Sequence, residues 1–217
     1  MSSTLKVDIL QDSGGNSILS SDGSGAITPS FNNAGGLVLL HTTNVTSDVS
    51  EVDIDGFFSS TYRNYRLLIS NLKIDTDAQV IRLRVNVGGS AFTTTGAYPT
   101  IGRYSRMTSA NAKTNSNQMG NYSTYDHTFL TWTNTLPNSG DRQGLHSELL
   151  LTNPLDTSNY KAIYRTTNYI GKDGSNTYNL QETANTFINT TSALSGIKFY
   201  PGSGNISAGN FKLYGVV

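Results

Sequence analysis

Apolar and polar residues alternate with a period of two through most of this chain. Ile81, Leu83 and Val85 interleave with Arg82, Arg84 and Asn86, and Val52 and Ile54 with Glu51, Asp53 and Asp55. Alternation of this kind gives each strand one apolar and one polar face. The same reading predicts strands over residues 37–43, 49–58, 62–74, 79–87, 98–107, 124–134, 146–151, 160–170, 177–187, 194–200 and 210–217. In 62–74, Tyr65, Leu67 and Ile69 face one way and Arg66, Leu68 and Ser70 the other. Apolar residues on both sides predict a central strand covered on both faces. The turn Asp75-Thr76-Asp77-Ala78 is expected to join that strand to 79–87 as an antiparallel hairpin. Asp173-Gly174, between 160–170 and 177–187, is the strongest short-range hairpin signal. No window keeps apolar residues at i, i+3, i+4 and i+7 for three turns, so no helix is expected. The expected fold is all-β, an antiparallel β-sandwich of jelly-roll type spanning residues 35–217.

Two stretches break the pattern. Residues 1–34 hold only short signals: Leu5, Val7 and Ile9 alternating with Lys6 and Asp8, then Ile18-Leu19, separated by Ser13-Gly14-Gly15-Asn16 and followed by Asp22-Gly23-Ser24-Gly25. A lone hairpin is marginal in water. This extended arm is therefore expected either to fray, as termini do, or to dock through Leu5, Val7, Ile9, Ile18 and Leu19 on a neighbouring chain or on the sandwich. Residues 88–121 form a long polar excursion, with Gly88-Gly89, Thr93-Thr94-Thr95 and an Asn-rich run over 111–117. It reads as a variable surface loop around the strand at 98–107.

Composition narrows the function more by exclusion than by signature. Only 36% of the 217 residues are hydrophobic, but 12 Tyr and 8 Phe supply large apolar bodies for a core. Fifteen basic and fifteen acidic side chains cancel, so no long-range field draws the chain to nucleic acid or to an anionic membrane. Without cysteine there is no disulfide, thiolate nucleophile or Cys-based metal site. The first ten residues lack an apolar signal region, and no run is long enough for a membrane span, so neither secretion by a leader nor insertion is expected.

Catalytic chemistry finds little purchase. There is no Gly-x-Ser-x-Gly elbow. Of His41, His127 and His146, only His127 has an adjacent carboxylate, Asp126, and neighbours on a strand point to opposite faces. A glycosidase needs two opposed carboxylates; Asp53 and Asp55 share a strand face, and with Glu51, Glu148 and Glu182 they leave a glycan depolymerase as the remote enzymatic alternative. Asp53-Ile54-Asp55-Gly56 and Asp75-Thr76-Asp77 echo pieces of calcium loops but reach no distal Glu at the right distance. Metal ligands and cofactors are expected to be none, with a surface calcium ion left open. The Tyr62-Arg63-Asn64-Tyr65-Arg66 run and Arg82 and Arg84 are read as a solvated polar face rather than a nucleic-acid stripe. Tyr98, Tyr104, Tyr122 and Tyr125 lie in or beside the polar excursion among Asn and Thr, a composition suited to adaptable recognition and to stacking on sugar rings. Ordinary strand preference for Tyr explains them equally well.

Thr4-Leu5-Lys6-Val7-Asp8-Ile9-Leu10-Gln11-Asp12, with Gly15-Asn16 and Asp22-Gly23-Ser24-Gly25, resembles the N-terminal arms of virion structural proteins of tailed bacteriophages, particularly marine ones. The stretch from Phe57 through Tyr62–Leu67 to Ile81–Val85, Asn153-Pro154 and the ending Gly209–Gly215 are similar to β-rich modules of the same proteins. The resemblance is compositional, covers both ends and part of the middle, and carries no functional site with it. It implies a non-enzymatic part of the virion, assembled in the host cytoplasm and exposed on the particle. A tail fibre or receptor-binding part, commonly a homotrimer, is the leading expectation, and a capsid decoration protein the alternative. Expected partners are other virion proteins through the arm, and a host-surface glycan or receptor through the four tyrosines.

Overall fold

The computed structural model describes residues 7–21, 23, 27–29, 36–108, 117–124, 130–131, 136–138, 144–173 and 176–217. The chain divides into two compact units, residues 1–36 with Val217, and Leu37–Val216. Every regular element among the described residues is a strand.

The first unit is a small antiparallel sheet of β1 (Ile9–Gln11), β2 (Ser17–Ser21) and β3 (Ile27–Pro29), in that order. Asp12 sets the β1–β2 turn: its Oδ1 accepts the amides of Gly14 at 2.8 Å and Asn16 at 2.9 Å, with Gly15 at a φ of 81° that suits glycine. The Asn16 side chain, whose Nδ2 donates to Asp12 Oδ2 at 3.0 Å, and then these amides hold the Asp12 carboxyl below the usual carboxylate range. Ile18 and Leu19 are half-buried, Val7, Ile9 and Leu10 are exposed, and Leu5 lies outside the described residues.

The second unit is a sandwich of two antiparallel sheets. Its strands are β4 (Leu37–Val45), β5 (Val52–Asp55), β6 (Asn64–Ile74), β7 (Ile81–Val87), β8 (Ser90–Ala91), β9 (Thr100–Thr108), β10 (Asn117–Thr124), β11 (Leu130–Thr131), β12 (Leu145–Thr152), β13 (Lys161–Asp173), β14 (Asn176–Ile188), β15 (Gly196–Pro201) and β16 (Ile206–Val216). The wide sheet runs β10-β9-β14-β13-β12-β6-β16-β4, the narrow one β11-β7-β15-β5 with β8 beside β7. β4 to β7 alternate between the layers, as do β10, β11 and β12 and then β14, β15 and β16, while the hairpins β9–β10 and β13–β14 add strands to the wide sheet. Inward residues of both sheets build one core, with Phe199 of the narrow sheet 5.5 Å from Phe211 of the wide one, ring to ring.

The predicted alternation holds on β5 and β7, where Val52, Ile54, Ile81, Leu83 and Val85 are buried. The hairpin expected across Asp75-Thr76-Asp77-Ala78 does not form. β6 pairs with β12 and β16, whereas β7 pairs with β15 and β11 in the other layer. That connection crosses the sandwich, and Asp75 fastens it to the β15–β16 connection by accepting the Asn205 amide and side-chain N–H, each at 2.8 Å. β6 is central, as expected, but only one face is covered. Tyr65, Leu67 and Ile69 point inward, while Arg66 and Leu68 are half-exposed. Asn71, at a φ of 52°, marks an irregularity that resets the phase, so that Leu72 and Ile74 also turn inward. The phase shift accounts for Leu72 and Ile74 at the second parity, and Leu68, ahead of it, is a half-exposed apolar residue on the outer face. The 160–170/177–187 hairpin does form, in register from Lys161–Ile188 to Asp173–Asn176. Its turn residues 174–175 lie outside the described residues, as do 125–129 and 132–134 of the strand expected at 124–134. The polar excursion is more regular than expected: β9 and β10 form an eight-pair hairpin attached to β14.

Candidate functional site

Of the four tyrosines singled out from sequence, Tyr98 and Tyr104 both turn to the core. Tyr98 is fully buried. Its hydroxyl accepts the Val85 amide at 3.1 Å and donates to the Phe92 carbonyl at 2.8 Å, tying the loop after β7 to that strand. Its ring meets Phe92 edge-on at 6.2 Å. Burial pushes the phenol up to about 12. Tyr98 is a core residue with no exposed surface, not the outward recognition residue expected from sequence; its place in a polar stretch hid that role. Tyr104, on β9 directly opposite the buried Glu182 of β14, is half-buried and packs against the core. Tyr122 lies on β10 opposite Gly102, and Tyr125 falls outside the described residues.

Asp53 and Asp55 share the outer face of β5, as the alternation requires, within a local network. Asn86 Nδ2 donates to both, at 2.8 and 3.2 Å, the Ser195 hydroxyl donates to Asp55 at 2.7 Å, and Lys198 Nζ lies 3.2 Å from Asp53 and 2.7 Å from Glu51. The carboxylates here stitch β5 to β15 and β7. His41 stacks on Phe57 at 4.2 Å and its Nε2 lies 2.9 Å from the Thr43 hydroxyl; His146 is exposed on β12; Asp126 and His127 lie outside the described residues. Among the described residues no three His, Cys, Asp or Glu side chains gather into a metal-binding group. No helix of the described residues is long and apolar enough to cross a membrane.

The structure adds a polar cluster that periodicity does not reveal. On the inner face of the β13–β14 hairpin, Glu182 sits opposite Thr167, diagonal to Arg165 and Tyr169. Tyr169 donates its hydroxyl to Glu182 at 2.8 Å, and Arg165 approaches the other carboxylate oxygen at 3.7 Å. All three side chains are buried. Desolvation raises the Glu182 pKa, while Arg165 and Tyr169 oppose the rise. Beside them Thr100 and Thr186 share a hydrogen bond of 2.7 Å.

The outer face of the wide sheet carries a different set. Tyr164, Phe187 and Ile101 point to solvent, each on a strand whose neighbouring positions are buried. At the opposite edge, Leu37, Val38 and Leu39 begin β4, which among the described residues pairs on one side only and contains neither charge nor proline. Arg66 and Glu148 form an outward ion pair of 2.6 Å between β6 and β12.

No protein-family model matches the chain. No curated protein matches it either.

Proposed function

We propose that this protein is a non-enzymatic structural part of a tailed-phage virion surface, anchored by residues 1–34 and displaying the sandwich outward. The observation that carries the proposal is the contrast between the two units. The sandwich closes a continuous aliphatic and aromatic core, whereas among its described residues the arm buries none and leaves Val7, Ile9 and Leu10 about half exposed. A three-stranded sheet with apolar side chains and no core gains its stability by covering them with a partner. The uncharged edge of β4, with Leu37, Val38 and Leu39 exposed, invites strand addition from a neighbouring subunit. We read the strand orders β4-β16-β6-β12 and β5-β15-β7-β11 as a jelly-roll framework widened by two hairpins.

Within the virion we favour a tail fibre or receptor-binding part, assembled as a homotrimer in the host cytoplasm. The resemblance of both chain ends to phage virion proteins supports this assignment. Deleting residues 1–34 should abolish incorporation into particles while circular dichroism of the purified fragment still reports a folded β-protein. Particles that take up the truncated chain at the normal level would refute anchoring by the arm. Electron microscopy of particles carrying a labelled copy separates a tail part from a capsid decoration protein.

A further inference from the structure

We infer that the outer face of the wide sheet, around Tyr164 and Phe187, binds an uncharged polysaccharide. The inference deepens the host-attachment reading above and rests on it for the source of the ligand. Tyr164 of β13 stands opposite Asn185 of β14, and Ile101 of β9 stands opposite the same Asn185 on its other side. Phe187 follows two residues along β14, opposite the small side chain of Ala162. Directly opposed residues on antiparallel strands share a face, so all five form one outward patch. Tyr164 is 46%, Phe187 55% and Ile101 71% exposed. The two rings sit on diagonal positions, roughly 7–8 Å apart at their backbones. Among the described residues neither stacks on another aromatic ring.

A sheet places these side chains on a rigid plane with a fixed spacing, so two unstacked rings and an amide between them are held ready before any ligand arrives. The C–H face of a pyranose stacks on an aromatic ring, and its hydroxyls need neutral donors and acceptors close by. Asn185 supplies both, with the exposed hydroxyls of Thr183 and Thr166 one position along. None of the five patch residues is charged. The nearest charge on β9 is Arg103, opposite Thr183; on the other side Glu148 of β12, diagonal to Tyr164, is neutralised by Arg66 of β6 at 2.6 Å. That balance disfavours phosphate-rich ligands, which demand clustered cations. Farther along the same face a shallow depression of about 230 Å³, lined by Leu68, His146, Glu148, Thr166 and Asn168, offers room for a branch or a neighbouring sugar.

The test is affinity electrophoresis of the full chain in native gels cast with dextran, galactomannan or mixed-linkage β-glucan. At least one polymer should retard the protein. Tyr164→Ala and Phe187→Ala should each weaken the retardation about tenfold, and Tyr164→Phe should keep it. Both alanine variants should retain the wild-type melting temperature, since neither ring is in the core. Three results would each overturn the inference: no retardation by any of the polymers, retardation that survives the double alanine variant, or a double variant that falls to a smaller oligomer in sedimentation. The last would make this face an interface between copies. Incorporation of the double variant into particles is scored separately, so normal incorporation with no polysaccharide binding sinks this inference and leaves the anchoring proposal standing.

Discussion

Replacing Tyr98 by Phe removes a single oxygen, and the structure says what that oxygen holds. It accepts the Val85 amide at 3.1 Å and donates to the Phe92 carbonyl at 2.8 Å, inside a core where Tyr98 has no exposed surface. The Val85 carbonyl is already engaged by the Phe92 amide at 2.8 Å, so the hydroxyl closes the remaining gap between β7 and its loop. Two hydrogen bonds at about 1 kcal/mol each, plus the penalty of leaving buried backbone groups unpaired, put the loss at about 2–4 kcal/mol. For a domain of this size that corresponds to a fall in melting temperature of roughly 5–15 °C. The contribution depends on the protonated phenol. Its folded pKa, about 12, lies above the ordinary value of 10.0, so the stabilisation is whole below pH 10 and is lost as pH rises through 12. Urea unfolding followed by circular dichroism at pH 7 and pH 9 should therefore give the same deficit. A Tyr98→Phe chain within about 0.5 kcal/mol of wild type would refute the argument. So would one of unchanged stability with weakened polysaccharide retention, because Tyr98 would then be a contact and not a core group.

Two further substitutions test the packing and the buried charge. Gly215→Ala would place a Cβ 2.4 Å from Tyr62 Cγ, the fixed root of the ring, and should destabilise by about 1–3 kcal/mol. Combining it with Tyr62→Ala should give less than the sum of the two losses, and strict additivity in a double-mutant cycle would show that the two sites do not touch. Glu182 has a folded pKa above its unfolded value of 4.5, so the fold favours its protonated form and loses stability as pH rises through the folded pKa. Glu182→Gln removes that dependence. The variant should gain on wild type in urea titrations as pH rises from 4.5 through the folded pKa, and a difference that stays flat with pH would contradict the assignment.

The layers were legible in the sequence wherever a strand obeys a strict period of two. Val52 and Ile54, or Ile81, Leu83 and Val85, announce their inward face without help, and the β13–β14 hairpin follows from Asp173-Gly174. Partner choice was not legible. The connection at 75–78 has the length of a hairpin loop, yet it carries the chain into the other sheet, because strand pairing is decided by long-range packing that local turn chemistry does not encode. The irregularity at Asn71 disguised one inward face as two, since a single inserted residue reverses the parity of every position after it. Tyr98 shows a further limit. A tyrosine in a stretch of Gly, Ser and Thr looks like a recognition residue by composition, but the loop around it is closed by that same hydroxyl and therefore has to surround it. Tyr164 and Phe187 gave the opposite difficulty, since on strands with alternating polar residues nothing local marks an aromatic side chain as outward.

The widening of one sheet links these observations. Where the narrow sheet faces β6 and β16, the core is aliphatic and aromatic: Leu67, Ile69, Phe199, Phe211 and Leu213. Along β13, β14 and β9 the inner face changes character, to Arg165, Thr167, Tyr169, Glu182, Thr186 and Thr100, joined by ion pair and hydrogen bonds. Bonds of this kind are directional, so they fix the register of the added hairpins more strictly than interchangeable aliphatic contacts would. Fixed register on the inner face fixes the spacing of the outer one, because every second residue of the same strands carries it. The positions of Tyr164, Asn185, Phe187 and Ile101 are in this sense set from beneath. Loosening the Glu182 cluster at constant surface composition should then blur the outer patch before it unfolds the sandwich, so Tyr169→Phe, which removes the 2.8 Å bond to Glu182, should weaken polysaccharide retention without touching a patch residue.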